Sequence, residues 1–164
     1  MMFKNLFKKP STIIQIKAPI TGEILPLEKV PDPVFSQKMM GEGVAIIPNE
    51  ENIVAPVEGT IVQIAPSKHA IGLKTPNDRE ILIHVGLETV SLDGKGFHVL
   101  VKEGDRVSVG DRLMTVDLGY IRNKVDHIIT PMVITNSNQS QNEYIFTTET
   151  ECVAGKTTVL TING

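Results

Sequence analysis

Short apolar stretches with a rough two-residue alternation run along the chain from Ile13 onward, and turn-forming residues interrupt them every several positions. Ile13-Ile14-Gln15-Ile16, Gly43-Val44-Ala45-Ile46-Ile47, Thr60-Ile61-Val62-Gln63-Ile64 and Thr157-Thr158-Val159-Leu160-Thr161-Ile162 read as strands. Their β-branched side chains suit a pleated, half-buried surface. Thirteen glycines and ten prolines are spread over the whole length and would interrupt long helices at nearly every point. Only Leu118 to Val125 offers a helical turn or two, with Leu118, Ile121 and Val125 on one face. The pattern predicts an all-β protein, an antiparallel β-sandwich or barrel with short helical turns.

Two local patterns refine this picture. Ala18-Pro19-Ile20-Thr21-Gly22-Glu23-Ile24 is echoed by Ala55-Pro56-Val57-Glu58-Gly59-Thr60-Ile61, which suggests two similar hairpin corners in one sandwich. Two copies are too few for a solenoid. Gly104-Asp105 and Gly110-Asp111 bracket a short apolar segment and read as two turns, since glycine tolerates positive φ and aspartate bonds nearby backbone.

A length of 164 residues suits one domain, which we place at residues 13–164, with residues 1–12 as a flexible tail. Sixteen basic against nineteen acidic residues give a formal charge of −3, which supplies no field for holding phosphate backbones, so nucleic acid is not expected as a partner. Cys152 is the single cysteine and cannot form an internal disulfide, and no apolar run is long enough to span a bilayer. A reducing cytoplasm is the simplest compartment. The first ten residues lack the apolar core of a signal peptide. Phe3, Leu6 and Phe7 beside Lys4, Lys8 and Lys9 leave transient adsorption to an anionic membrane surface as the alternative to a plain tail.

The chemistry concentrates between Ser67 and Gly86. Thr75-Pro76-Asn77-Asp78 is a strong turn signal, with proline at the second position. If those four residues form the loop of an antiparallel hairpin, Lys74 faces Arg79 and, counting back along both strands, His69 faces His84. The two imidazoles would share a face with Ile71, Leu73 and Leu82, with their Cβ atoms about 4.5–5.5 Å apart. A loop one residue longer or shorter would spoil this opposition. A lone strand histidine is commonly a packing residue, but two opposed on an apolar surface suggest function. A neutral imidazole can attack phosphorus with one ring nitrogen while a carbonyl fixes the other as the donor, and a second imidazole can donate to the phosphoryl oxygens. A permanent zinc site would need two further ligands, and no Cys-x-x-Cys, His-x-His or His-Glu-x-x-His pattern provides them.

Val30-Pro31-Asp32-Pro33-Val34-Phe35, Lys38-Met39-Met40-Gly41-Glu42-Gly43, Ala55 to Ile61, Lys68-His69-Ala70, Ile83-His84-Val85-Gly86-Leu87-Glu88-Thr89-Val90 and Gly94-Lys95-Gly96-Phe97 together resemble the glucose-type enzyme IIA domain of the bacterial phosphoenolpyruvate-dependent sugar phosphotransferase system. The resemblance covers about residues 13 to 162 and implies an antiparallel β-sandwich. It implies a phosphotransferase component that accepts a phosphoryl group from the phosphocarrier protein HPr and passes it to the cysteine of a sugar-specific IIB domain. It makes His84 the phosphorylated residue, on Nε2, with the Gly86 carbonyl accepting the Nδ1 proton. His69 would steady the phosphoryl group, and the Ser67 hydroxyl would hold His69.

On this reading Val34, Phe35, Met39, Met40, Ile71 and Val90 surround the pair as an apolar docking face, with Asp32 and Glu88 at the rim to meet basic residues. Val34 and Ile71 could equally be core. Phe35 and the methionines are better candidates, since methionine adapts to several partners. Glu88 stands where the family often has aspartate, and Ile71, Leu82 and Val85 replace aromatic residues of some members. His98 and His127 match no transfer site and read as surface or packing residues. No cofactor is obligatory. In some members a zinc ion is shared between the two histidines and a regulatory partner's carboxylate, which would make His69 and His84 metal ligands only within such a complex. A biotinyl or lipoyl carrier is the rival reading, from Val101-Lys102-Glu103-Gly104-Asp105-Arg106-Val107. Lys38-Met39-Met40 has a carrier's lysine and methionines in the wrong order.

Overall fold

In a computed structural model, which describes residues 13–139 and 142–163, the alternating segments become strands. The sequence-predicted tail, residues 1–12, lies outside the described residues. In chain order the strands are β1 (Ile14–Lys17), β2 (Gly22–Pro26), β3 (Glu42–Pro48), β4 (Asn52–Val54), β5 (Gly59–Ile64), β6 (Ala70–Lys74), β7 (Glu80–His84), β8 (Phe97–Val99), β9 (Arg106–Val107), β10 (Arg112–Val116), β11 (Thr130–Ile134), β12 (Glu143–Phe146), β13 (Glu151–Cys152) and β14 (Thr158–Asn163). Two short helices, α1 (Pro33–Ser36) and α2 (Leu118–Arg122), join them.

The pairs are antiparallel. A large sheet runs β13-β2-β3-β11-β7-β6-β5-β9, and two small ones run β1-β14-β12 and β4-β10-β8. Alternation decides what each face of the large sheet buries. Val44, Ile46, Ile71, Leu73, Ile81, Ile83, Met132 and Ile134 join the main core, together with Ile16, Leu160 and Ile162 of one small sheet and Ile53, Leu113 and Met114 of the other. Ala45, Val133 and Leu82 alternate with these and belong to a second cluster with Leu27, Val30, Phe35, Leu87 and Ile129. The segment from Leu27 to Met40 therefore forms an extra layer over the outer face of β3, β11 and β7. His84 lies in this same alternation, at the end of β7.

The sequence echo marks a pseudo-symmetric pair of corners. Lys17 N–H donates to the Pro56 carbonyl at 2.9 Å and Val54 N–H donates to the Pro19 carbonyl at 2.8 Å, so each corner accepts from the strand leading into the other. The two Gly-Asp turns also match. Asp105 accepts from Lys102 N–H at 3.0 Å and Asp111 from Ser108 N–H at 2.8 Å, on either side of β9. Asp117 caps α2 by accepting from Tyr120 N–H. The helix buries Leu118 and Ile121 but ends at Arg122, short of Val125, which packs against the core from beyond the helix.

Candidate functional site

The register of the β6–β7 hairpin differs from the four-residue-loop expectation. Lys74 pairs with Glu80, not Arg79, and Ala70 pairs with His84. The cause is Asp78, whose φ of +66° places an additional left-handed residue in the loop. Thr75 N–H donates to the Arg79 carbonyl at 2.9 Å, and Arg79 N–H donates to Thr75 Oγ1 at 2.9 Å. Every pair slides by one residue. His69 therefore falls just before β6, where its carbonyl accepts from Val85 N–H at 2.7 Å.

In a regular strand this slip would send the His69 side chain through to the other face. The pleat does not govern a residue ahead of the strand, however. The Ala65–Lys68 turn, closed by Lys68 N–H on the Ala65 carbonyl with Lys68 at φ +61°, redirects the chain there. The imidazoles meet edge to face, 4.8 Å between centroids and 79° between planes. The neighbours of His84 on its own face are Ala70, Gly72 and Leu82; Ile71 and Leu73 face the main core instead.

α1 supplies the third ring. Asp32 caps it by accepting from Val34 N–H at 2.9 Å, and Pro33 occupies the first turn with φ already suited to a helix. This places Phe35 with its ring centroid 5.2 Å from that of His84, at 60°. Phe35 is only 4% exposed. It is corrected from a docking residue to a wall of the site, because it fills the second core. Ile71 is likewise corrected: at 1% exposure in the main core it has no surface to offer.

His84 Nδ1 lies 2.8 Å from the Gly86 carbonyl. A carbonyl can only accept, so Nδ1 carries the proton and Nε2 keeps its lone pair. The His84 pKa is held below the ordinary 6.5, chiefly by burial and next by repulsion from His69; the Gly86 carbonyl and the Asp32 carboxylate oppose this. Burial also lowers the pKa of His69, with the Ser67 main chain pulling the other way. Both shifts favour the neutral ring at pH 7. Nδ1 of His69 is buried without a well-formed hydrogen bond, so the Ser67 hydroxyl does not hold that nitrogen; what Ser67 gives the ring is the electrostatic pull of its main chain.

Met39 is 69% exposed, Val90 59% and Val34 40%, apolar side chains left on the surface of the segments that flank the site in sequence, α1 with the residues after it and the residues that follow the His84–Gly86 turn. Met40 is half-buried on the second core, Asp32 is half-buried and Glu88 is exposed. Pro31, Asp32, Leu87, Glu88, Asp126 and His127 line a cleft of about 190 Å³. A larger groove, lined by Lys74, Thr75 and Arg106 among others, lies at the far end of the hairpin and contains neither histidine. The His98 and His127 side chains are exposed. The roles of Phe35 as a packed wall and of Thr89 as a buried hydrogen-bond donor were not anticipated. The Asp32-Pro33 pair was a readable helix start that pointed to the first.

An imidazole whose Nδ1 is tied to a carbonyl, with a second imidazole against its ring on an antiparallel sandwich, has the chemistry that nucleophilic group transfer by histidine requires. The family profile described as phosphoenolpyruvate-dependent sugar phosphotransferase system, EIIA 1, matches residues 14–140. A chain from Staphylococcus epidermidis described as the PTS system glucose-specific EIIA component is 49% identical over 164 residues, covering 98% of each chain. A Staphylococcus aureus protein of the same description is 48% identical with the same coverage. The solved structure of glucose permease IIA from Mycoplasma capricolum superposes with a TM-score of 0.83 at 39% identity, covering 94% of this chain and 97% of that one. The chain belongs to this EIIA family of the sugar phosphotransferase system. No helix among the described residues is long and apolar enough to cross a membrane.

Proposed function

We propose that the protein is a phosphocarrier in which His84 Nε2 accepts a phosphoryl group from phospho-HPr and delivers it to the cysteine of a sugar-specific IIB domain. The observation that supports this is the 2.8 Å approach of Nδ1 to the Gly86 carbonyl, which favours the tautomer with the lone pair on Nε2. In the first transfer the Nε2 lone pair attacks phosphorus. The phosphorus–nitrogen bond to the HPr histidine breaks, and its electron pair returns to that imidazole. The Nδ1 proton stays on His84, shared with Gly86. In the second transfer the IIB thiolate attacks phosphorus and the electron pair returns to Nε2. The transition state is loose, with charge on the equatorial oxygens, so positioning matters more than covalent help. His69 supplies a donor to those oxygens.

Val34, Met39 and Val90, with the Asp32 and Glu88 carboxylates at their edge, form the docking face for HPr and IIB on this reading. The same surface would bind regulatory targets in the unphosphorylated state, since a phosphoryl group adds about −1.5 to −2 charges to an apolar face. The protein acts in the cytoplasm and meets the membrane through IIB. Glucose, named in the staphylococcal relatives, is the sugar we assign to its permease. A zinc ion suits the pair only in part. Two imidazoles provide half of a tetrahedral set, and no group of three or more His, Cys, Asp or Glu suited to a metal occurs among the described residues. A regulatory partner's carboxylate would have to complete it.

The test is reconstitution with phosphoenolpyruvate, enzyme I, HPr and a glucose-type IIB domain. The expected result is one phosphoryl group per chain, chased onto IIB when it is added. Phosphorylation that never leaves the chain, or none at all, would overturn the proposal.

A further inference from the structure

The nucleophilic tautomer of His84 depends on where the Gly86 carbonyl points, and Gly86 sits in a turn with a left-handed residue, φ +74°. Two hydrogen bonds tie that turn down. The Thr89 hydroxyl, on a side chain with no solvent exposure, donates to the Val85 carbonyl at 2.6 Å. Leu87 N–H donates to the His127 carbonyl at 3.1 Å. The residues on either side of Gly86 are thus each fixed by a partner from outside the turn. Thr89 also packs against Gly86 itself, since a Cβ built on Gly86 would lie 2.6 Å from Thr89 Cγ2.

We infer that Thr89 is a positioning residue: by holding the Val85 carbonyl it aims the Gly86 carbonyl at His84 Nδ1 and so keeps Nε2 as the phosphoryl acceptor. Thr89 acts through the Val85–Gly86 peptide unit, by its hydroxyl on the Val85 carbonyl and its methyl against Gly86. Without its hydroxyl, the buried Val85 carbonyl loses that donor, and the Val85–Gly86 peptide can rotate to seek another, which changes φ of Gly86 from +74° and swings the carbonyl of the following peptide, that of Gly86, off Nδ1. Rotation would release Nδ1, allow the other tautomer and remove the lone pair from Nε2 in a fraction of molecules. The hydroxyl and the methyl make separable contributions, because Thr89→Ser keeps the first and Thr89→Val keeps the second.

This rests on His84 being the phosphoryl acceptor, and the experiment separates the two claims. Nitrogen-15 NMR of the ring nitrogens reads the His84 tautomer, and single-turnover phosphorylation by phospho-HPr reads rate and saturation separately. Wild type should show Nδ1–H with unprotonated Nε2 and be phosphorylated on His84; a wild type phosphorylated elsewhere ends the phosphocarrier assignment. Thr89→Val should give mixed tautomers and a maximal rate about tenfold lower, the equivalent of ~1.4 kcal/mol, with the half-saturating phospho-HPr concentration unchanged. Thr89→Ser should restore both. A folded Thr89→Val with wild-type tautomer and rate overturns the inference. Should the valine variant not fold, Thr89→Ser decides: native tautomer and rate support the hydroxyl's role, and a mixed tautomer with a slow rate overturns it.

Discussion

Replacing Gly86 by alanine tests the site where backbone conformation, packing and chemistry meet. At φ +74° an L-residue pays roughly 1–2 kcal/mol for the left-handed conformation. The added Cβ would lie 2.6 Å from Thr89 Cγ2 and 3.3 Å from the His127 carbonyl oxygen, and such overpacking costs typically 1–3 kcal/mol. Alanine returns about 0.4–1 kcal/mol by restricting the unfolded chain. The net expectation is a loss of about 1–4.5 kcal/mol, read as a lower urea midpoint at unchanged slope. The clash partner can be removed separately, because Thr89→Ser deletes Cγ2 and keeps the hydroxyl. In a double-mutant cycle the serine should recover about 1 kcal/mol or more of the Gly86→Ala loss, leaving the conformational part. A Gly86→Ala protein within about 0.5 kcal/mol of wild type, or a cycle with no coupling, would refute the argument.

Three further outcomes follow from the site. His69→Gln should still accept phosphate from phospho-HPr but transfer it poorly to IIB, followed by gel or mass shift; complete failure to accept would contradict the division of roles. Both histidines have folded-state pKa values below 6.5, so the folded protein binds fewer protons than the unfolded chain in acid. Their contribution is therefore fully present above about pH 6.5 and is lost as pH falls below it, by at most about 1.4 kcal/mol per pH unit for each ring. Urea midpoints at several pH values should fall less steeply for His69→Gln than for wild type, and parallel curves would count against burial as the cause. Met39→Glu places a charge on an exposed apolar surface, so stability should stay within about 0.5 kcal/mol while the KM for phospho-HPr rises several-fold; an unchanged KM would remove Met39 from the docking face.

Much of the architecture is carried by local pattern. Alternation marks the core faces of β6 and β7 because burial on one side forces a period of two, and the repeated Ala-Pro corners are visible because the same close backbone approach selects glycine at Gly22 and Gly59. The register of the hairpin was not legible. Thr75-Pro76-Asn77-Asp78 announces a turn, but whether Asp78 adopts positive φ, and so adds a residue to the loop, depends on hydrogen bonds from Thr75 and Arg79 that only the folded hairpin supplies. The pairing of Ala70, not His69, with His84 follows from that single dihedral angle. The two rings still meet because His69 precedes the strand and escapes its pleat. Phe35 looked like an exposed anchor for a related reason. No local pattern shows that residues 27–40 fold back as a layer over β3, β11 and β7, and that layer is what buries it.

The central claim, that His84 is a nucleophile whose partner nitrogen is pinned by Gly86, is tested most directly by locating the phosphate. Peptide mass spectrometry at neutral or basic pH after incubation with phosphoenolpyruvate, enzyme I and HPr should find one acid-labile phosphoryl group, on the peptide containing His84 and absent from His84→Ala. A stable adduct on a hydroxyl, or an undiminished label in His84→Ala, would contradict the account.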